Sequence, residues 1–318
     1  MTRKPQMDAI GAAALTGFAL FLAFNQILIK FVNQGLQPVF FAGVRSGLAV
    51  FCIWGWMVLR GRPPRLSRRY LLVGTLSGLA FAAEFLCLFL ALDLTTVTRT
   101  AIILYSMPVW LALGAHVLLP GERIGPQKAL GLALAFMGVA WAILNRQGGA
   151  PGQASLIGDL CALLASFSWA AITLIARGTR LREERPEMQL FWQVLVSAPV
   201  LLLAAPFFGP FLRDLHWIHI AALIFQVVAV VSAGFMFWLW LLTIYPAASV
   251  ASFSFLTPVF GVALGWLVLG EHVGGATLVA AALVAVGIIL VNRPARQHPA
   301  PLPPDPQSPN RTSAQIGK

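Results

Sequence analysis

The sequence predicts an all-α integral membrane protein with ten transmembrane helices, arranged as two inverted five-helix repeats. Three observations support this fold: the composition, the number of long apolar runs, and a likeness between the two halves of the chain. Of 318 residues, 58% are hydrophobic and only 10% are charged, whereas about a quarter of an average soluble domain is charged. This composition excludes a water-soluble nucleic-acid binder and a small disulfide scaffold.

The chain contains ten apolar runs long enough to cross a bilayer, whose 30 Å core requires roughly 20 helical residues. The runs are separated by proline, glycine and charged residues, which are typical of turns. Three cysteines lie inside these runs without metal-ligand spacing, so we expect no metal, cofactor or disulfide. The predicted spans are 9–32, 38–59, 70–92, 96–119, 127–145, 156–176, 187–209, 217–242, 247–269 and 273–292.

The basic residues predict the orientation of these spans. If both termini lie on one side, 17 of the 22 lysines and arginines lie there too. Basic residues are retained on the cytoplasmic side of membranes. We therefore expect a multi-pass inner-membrane protein with cytoplasmic N- and C-termini. Residues 294–318 hold seven prolines and few apolar side chains, which predicts a disordered cytoplasmic tail.

The second half of the chain repeats features of the first in the same order. We expect one five-helix repeat in residues 1–146 and a second in residues 147–293. Because each repeat has an odd number of spans, the second must be inverted, an arrangement typical of secondary transporters. The aligned features are Pro108-Val109 with Pro258-Val259, Gly121-Glu122 with Gly270-Glu271, Gly125 with Gly274, and Gly138 with Gly287.

Residues 9–292 resemble the drug/metabolite transporter superfamily, of the ten-helix EamA type. The resemblance implies a solute carrier, usually an exporter of amino acids or other small metabolites, and no enzymatic activity. Two positions depart from the family pattern, with Leu22 in place of tryptophan and Gln193 in place of arginine. The resemblance is carried by the segment Asn25 to Lys30, by Trp169 and Arg177, by Pro38 and Arg45, and by the Pro108 and Pro258 segments with their Gly-Glu turns.

Glu84 lies near the middle of the third span, where an ionised side chain costs about 2.5–3.5 kcal/mol. Such a residue predicts a cavity carboxylate that meets a substrate amine or takes a proton. The alternatives are a structural partner for Arg45 and a carboxylic acid kept neutral by burial.

Arg45 lies in the outer half of the second span, between Gly43 and Gly47. Its planar guanidinium can bind a substrate carboxylate with two hydrogen bonds. It can equally serve as a clamp between helices, and the sequence favours neither function.

Further candidates are polar or aromatic residues within the spans. At least one of Asn25 and Gln26 should face the interior, because lipid offers no hydrogen bonds. Weaker candidates for lining a cavity are Trp169, Trp192, Gln193, Gln226 and Trp238.

Pro108 and Pro258 interrupt spans 4 and 9 at equivalent positions and remove a backbone hydrogen bond each. We expect them to act as hinges, with a plain helix kink as the alternative. Spans 5 and 10 are expected to be peripheral. Their small-residue rows, Gly131/Ala135 and Ala281/Ala285, suit helix packing or the contact of a homodimer.

The sequence therefore predicts a secondary transporter that exports amino acids or related metabolites by alternating access. Its expected partners are a small-molecule substrate and the lipid bilayer, and no nucleic acid. The alternatives are a carrier for lipophilic drugs, nucleotide sugars or sugar phosphates in the same fold. A membrane enzyme or a channel is disfavoured, since the chain has no clustered catalytic residues, P-loop or repeated filter sequence.

Overall fold

A computed structural model describes residues 8–119, 122, 124–145, 155–245, 253 and 256–292. In this part of the chain all regular elements are helical, and eight helices are apolar and long enough to span a bilayer, with two shorter apolar helices after them. The helices are α1 (Ala9–Gly35), α2 (Pro38–Leu59), α3 (Leu71–Leu94), α4 (Val97–Leu104 and Met107–Leu118), α5 (Pro126–Leu144), α6 (Leu156–Gly178), α7 (Pro186–Ala204), α8 (Trp217–Phe225, Gln226–Gly234 and Phe235–Ile244), α9 (Leu256–Leu269) and α10 (Gly275–Asn292).

The predicted spans agree closely with these helices, and the prediction of an all-helical membrane protein is confirmed. Span 9 differs most, because it was predicted over 247–269 while α9 is described from Leu256. The predicted tail 294–318 lies outside the described residues, as does Arg146.

Two helices are irregular near their middle. The first segment of α4 ends at Leu104, and the second begins at Met107, with Pro108 in its first turn. Pro108 lacks an N–H to bond the carbonyl four residues earlier, so an interruption here follows from its chemistry. In α8 the segment Gln226–Gly234 is a π-helix, a rare geometry that often marks functional positions. Nothing in the hydropathy of this segment indicated it.

The contacts between helices show a two-fold relation between the halves. α1 packs against α9 and α6 against α4, while α3 packs against α7 and α2 against α8. Each helix has its counterpart five helices later or earlier in the chain. When every helix is replaced by its counterpart, the α1–α9 contact becomes the α6–α4 contact, and the α3–α7 contact becomes the α8–α2 contact. The pairs α2–α7 and α5–α10 are their own counterparts.

Within each of these two pairs, α2–α7 and α5–α10, the helices run in opposite directions. A Cβ added to Gly43 would lie 2.9 Å from Leu202, while Gly47 lies opposite Ala198. Gly131 lies opposite Gly287 and Gly138 opposite Ala280. In both pairs the residue number rises on one helix as it falls on the other. Since the partners are equivalent members of the two repeats, the second repeat is inverted relative to the first, as predicted.

Small residues bring α5 and α10 into backbone contact. A Cβ added to Gly287 would lie 2.6 Å from the carbonyl oxygen of Gly131, and 2.6 Å from the Cβ of Ala135. The row Gly131/Ala135 is therefore used within one chain, and these residues are not available to a second copy. A homodimer through other surfaces of α5 and α10 stays a prediction.

Apolar side chains divide between the interior and the outer surface. Phe41, Phe89 and Leu92 are fully buried, whereas Leu59 and Phe207 are each 86% exposed. A soluble monomer rarely shows such apolar surface. In a bilayer this surface contacts lipid, and the interior is left to hold the polar groups.

Candidate functional site

The interior contains an arginine that is held by aromatic rings. Arg45 on α2 is 2% exposed, and its guanidinium carbon lies 4.2 Å from the ring centre of Phe85 and 4.8 Å from that of Phe89. Such cation–π contacts stabilise a buried guanidinium and fix its plane. Its Nε atom has no hydrogen-bond partner. The guanidinium of Arg45 is thus held in place, and its Nε donor has no hydrogen-bond partner among the described residues.

Glu84 on α3 is the second buried charge of the interior. It is 7% exposed, and its carboxylate receives no hydrogen bond from the described residues. It acts electrostatically on Arg45 without forming a direct ion pair with it. The alternative that Glu84 is simply the salt-bridge partner of Arg45 is therefore not supported by contact. Both groups retain capacity to bind something else.

Tyr105, Gln26 and Thr257 extend this polar interior across three helices. Tyr105 lies at the interruption of α4, and its hydroxyl lies beside the side chains of Thr257 on α9 and Gln26 on α1. All three residues are buried. Tyr105 and Thr257 were not predicted. Their positions in the sequence could have indicated them, because Thr257 directly precedes Pro258 and Tyr105 lies three residues before Pro108.

Several buried polar atoms in these helices have no protein partner. Buried polar groups are almost always hydrogen-bonded to protein or ordered water. A group of buried polar atoms without hydrogen-bond partners indicates a space that water or a ligand fills. At least one of Asn25 and Gln26 was expected to face the interior, and Gln26 is buried while Asn25 is partly buried. The unpartnered atoms include Asn25 Oδ1, Gln26 Oε1, Arg45 Nε, Ser46 Oγ, Thr100 Oγ1 and both amide atoms of Gln226.

The remaining predicted lining residues lie at different places. Trp169 meets Tyr105 edge-on, with ring centres 5.6 Å apart, and so joins the polar interior. Gln193 donates to Ser77 Oγ at 3.3 Å, in the interface of α3 and α7. Trp192 packs in the same interface, where a Cβ on Gly74 would lie 2.5 Å from its ring. Trp238 stacks on Phe18 in a separate cluster.

A buried ion pair, which sequence reasoning missed, joins the two halves at the end where α4 and α6 begin. Arg99 Nε donates to Asp159 Oδ1 at 3.0 Å, and Nη2 donates to Oδ2 at 2.6 Å. The same guanidinium also donates to the carbonyls of Ala142 and Asn145, at the end of α5. Thr95 Oγ1 donates to Asp159 at 3.1 Å. Asp159 sits in the first turn of α6, where the helix dipole stabilises a negative charge.

Three further contacts join helices at the same end. Glu271 accepts hydrogen bonds from the backbone N–H groups of Val97 and Thr98, at 2.6 and 2.9 Å, and so caps α4. Lys30 Nζ donates to the carbonyl of Thr95 at 2.6 Å. Arg213 binds Asp93 with two hydrogen bonds. Glu271 belongs to the second repeat and so caps a helix of the first.

The opposite end of the bundle is held by exposed ion pairs. Arg69 pairs with Glu183 at 2.5 Å, and Arg177 pairs with Glu122 at 2.5 Å. Their side chains are 35–53% exposed, and exposed pairs contribute about 0–1 kcal/mol each. The two ends therefore differ, with buried links between the halves at one and weak links at the other.

The family model for the EamA-like transporter family matches residues 9–144 and residues 156–293, which is most of the chain in two copies. The chain belongs to the EamA-like transporter family. This transporter is thus a multi-pass membrane protein and not an enzyme, as predicted.

Known relatives of the transporter are distant in sequence but similar in length. A "Probable amino-acid metabolite efflux pump" of Salmonella typhimurium is 27% identical over 291 residues, covering 87% of this chain and 91% of the relative. A protein of the same name from Escherichia coli is 25% identical over 283 residues, covering 86% and 90%. A solved crystal structure that is 20% identical has a TM-score of 0.63 and covers 88% of this chain and 97% of that one, which supports the fold alone.

Proposed function

We propose that this transporter exports amino acids or closely related metabolites across the inner membrane by alternating access. The observation that supports this most is the arrangement of Arg45 and Glu84. Both are buried and near each other, yet they form no ion pair. A zwitterionic substrate would supply the missing charge to each. The names of the two relatives above, probable efflux pumps for amino-acid metabolites, agree with this choice.

The two charges would divide the recognition of the substrate. Arg45 would bind the carboxylate, because a guanidinium matches carboxylate geometry and its plane is already fixed by two phenylalanine rings. Glu84 would accept hydrogen bonds from the ammonium group. The unpartnered amides of Asn25, Gln26 and Gln226 offer further donors and acceptors. Trp169 and Phe85 would contact the apolar part of the molecule.

The alternative substrates fit this interior less well. A sugar phosphate or nucleotide sugar carries at least two negative charges, and Arg45 is accompanied by the acidic Glu84. A purely lipophilic compound would leave the buried polar atoms without partners, which costs about 1–3 kcal/mol for each group.

Alternating access would use the symmetry of the two repeats. The buried links around Arg99 and Asp159 close one end, while the ion pairs that the described residues form at the other end are exposed. Because the halves are inverted copies, exchanging their conformations would open the Arg99 end and close the opposite one. Pro108 and Pro258 lie at equivalent places in α4 and α9 and would serve as hinges.

Exchange assays in liposomes test which class of compound the transporter carries. Liposomes preloaded with one amino acid should take up the same labelled amino acid against empty-liposome controls. Sugar phosphates, nucleotide sugars and cationic dyes should give no uptake above background. Flux of a phosphorylated compound without flux of any amino acid would contradict the proposal and favour the alternative carrier.

Cysteine labelling tests the orientation, for which the charge distribution is the support. In a variant whose native cysteines are replaced by alanine, Asp214→Cys should react with an impermeant maleimide on intact cells. Arg65→Cys should react only after the cells are opened. Both positions are exposed, so labelling of both from outside would contradict cytoplasmic termini.

A further inference from the structure

A cavity lies at the end of the bundle remote from the Arg99–Asp159 pair. It has a volume of about 500 Å³ and is formed by the start of α3 and the connection between α6 and α7. The polar interior described above contributes no residue to it. The lining of the cavity includes Arg69, Leu72, Thr179, Arg180, Arg182 and Glu183.

The cavity carries an excess of positive charge. Three arginines and one glutamate line it, which gives a formal net charge of 3 − 1 = +2. Arg69 and Glu183 satisfy each other at 2.5 Å. Among the described residues, Arg180 and Arg182 have no carboxylate partner. Two guanidinium groups are therefore left available to an anion.

The turn that presents these two arginines is fixed by local structure. α6 ends at Gly178, and residues Arg180–Glu183 form one turn of 3₁₀ helix. The hydroxyl of Thr179 accepts a hydrogen bond from Leu181 N at 3.2 Å and donates to the carbonyl of Ile175 at 2.7 Å. Leu181 is completely buried between its two exposed neighbours. The arginines are thus anchored by the buried residue that separates them.

The cavity opens beside a surface suited to lipid. Leu71 and Leu72, in the first turn of α3, are 54% and 72% exposed. The guanidinium of Arg60 lies 4.5 Å from the ring centre of Trp56, near the end of α2. Tryptophan with a basic neighbour is typical of the boundary between acyl chains and headgroups. A molecule with both a phosphate and acyl chains could contact the arginines and the leucines together.

We propose that this cavity binds the headgroup of an anionic phospholipid, such as phosphatidylglycerol. The phosphate is held by Arg180 and Arg182, whose forked donors match phosphate oxygens. The acyl chains lie along Leu71 and Leu72. Basic pockets between membrane helices are known to bind such headgroups. The exposed leucines favour a lipid over a free phosphate ion, which would use only the arginines.

Native mass spectrometry of the purified protein with equal amounts of phosphatidylglycerol and phosphatidylcholine tests the proposal. The wild-type protein should retain phosphatidylglycerol preferentially. The double variant Arg180→Gln/Arg182→Gln should lose roughly 30-fold in this preference, because each substitution removes one charge-assisted contact with the phosphate. The control Arg62→Gln/Arg65→Gln removes the same charge from exposed positions outside the cavity, and should retain the preference.

The comparison of the two lipids on the wild-type protein tests the proposal even if the double variant does not fold. Equal retention of both lipids by the wild-type protein would overturn the proposal. So would an equal loss of preference in the control variant, because the effect would then belong to surface charge in general. Displacement of phosphatidylglycerol by inorganic phosphate at equal concentration would show a free-anion site and overturn the lipid assignment.

Discussion

Replacing Glu84 with glutamine is expected to weaken amino-acid binding by about 10- to 150-fold, with unchanged amounts of protein in the membrane. The range follows from the loss of a hydrogen bond to a charged group, which contributes about 1.5–3 kcal/mol. Glutamine keeps the shape of the side chain and removes only the charge. Since Glu84 receives no hydrogen bond from the described residues and forms no ion pair with Arg45, the substitution breaks no direct contact and removes only a charge that acts on Arg45 at a distance.

The measurement is the concentration dependence of exchange in liposomes for Glu84→Gln beside the wild-type protein. Glu184→Gln is a matched control, because it removes the same charge from the connection before α7, outside the helices. Unchanged affinity in Glu84→Gln would remove this residue from the site.

Substrate analogues separate the functions of the two buried charges. An amine that lacks the carboxylate should still be sensitive to Glu84→Gln, because its ammonium group remains. A carboxylic acid that lacks the amine should be nearly insensitive to it. If both analogues were affected equally, the effect of Glu84 would be on Arg45 or on the conformation, and not on the ammonium group.

The sequence predicted the helices accurately because the bilayer demands long apolar runs and the turns between them contain proline, glycine or charge. It also indicated that Arg45 and Glu84 are charges within the helices, because a charge in an apolar run is costly and needs a reason, and both are buried. It could not predict that the two charges would approach without pairing. That outcome depends on how α2 and α3 both pack on α7, through Gly43 and Gly47 on α2 and through Gly74 and Gly78 on α3.

The aromatic candidates show what limits sequence reasoning for membrane helices. Trp192 packs on Gly74 and Trp238 on Phe18, and their role in lining a cavity stays a prediction. In a soluble protein, the polar face of a helix tells which side is buried. Here the lipid-facing and buried faces are both apolar, so the pattern does not identify the inner face. Only polar residues carry that information: at least one of Asn25 and Gln26 was expected in the interior, and Gln26 is 3% exposed.

The ion pair of Arg99 and Asp159, which was not predicted, could have been inferred from the cost of charges within apolar runs. Both residues lie inside predicted spans, each within four residues of the same end of the bundle. Spans 4 and 6 both begin at that end. Opposite charges at equal depth in an apolar region favour pairing. Neither Arg99 nor Asp159 was among the candidate residues.

Replacing Asp159 with alanine is expected to cost about 3–5 kcal/mol of stability, because it leaves a buried guanidinium without its counter-charge. Asp159 is fully buried and accepts from both Arg99 and Thr95. Water cannot easily replace it, since Arg99 is only 7% exposed. The measurement is the free energy of unfolding, or the midpoint of thermal unfolding, in a mild detergent.

Glu183→Ala is the matched control, because it also removes an acid from an arginine pair, but from an exposed one. It should cost no more than about 1 kcal/mol. A similar loss in the two variants would show that the Arg99–Asp159 pair is effectively solvated and contributes little.

The double variant Arg99→Met/Asp159→Val separates stability from transport. Replacing both members of a buried pair by apolar residues is often neutral for stability, because no unpaired charge remains. The double variant should therefore recover most of the stability that Asp159→Ala loses. If the pair also acts as a releasable link between the halves, the apolar replacement should change the rate of exchange while the affinity for substrate stays the same. Normal exchange in this variant would show that the pair is only structural, and that the links formed by Glu271 and Arg213 suffice to close this end.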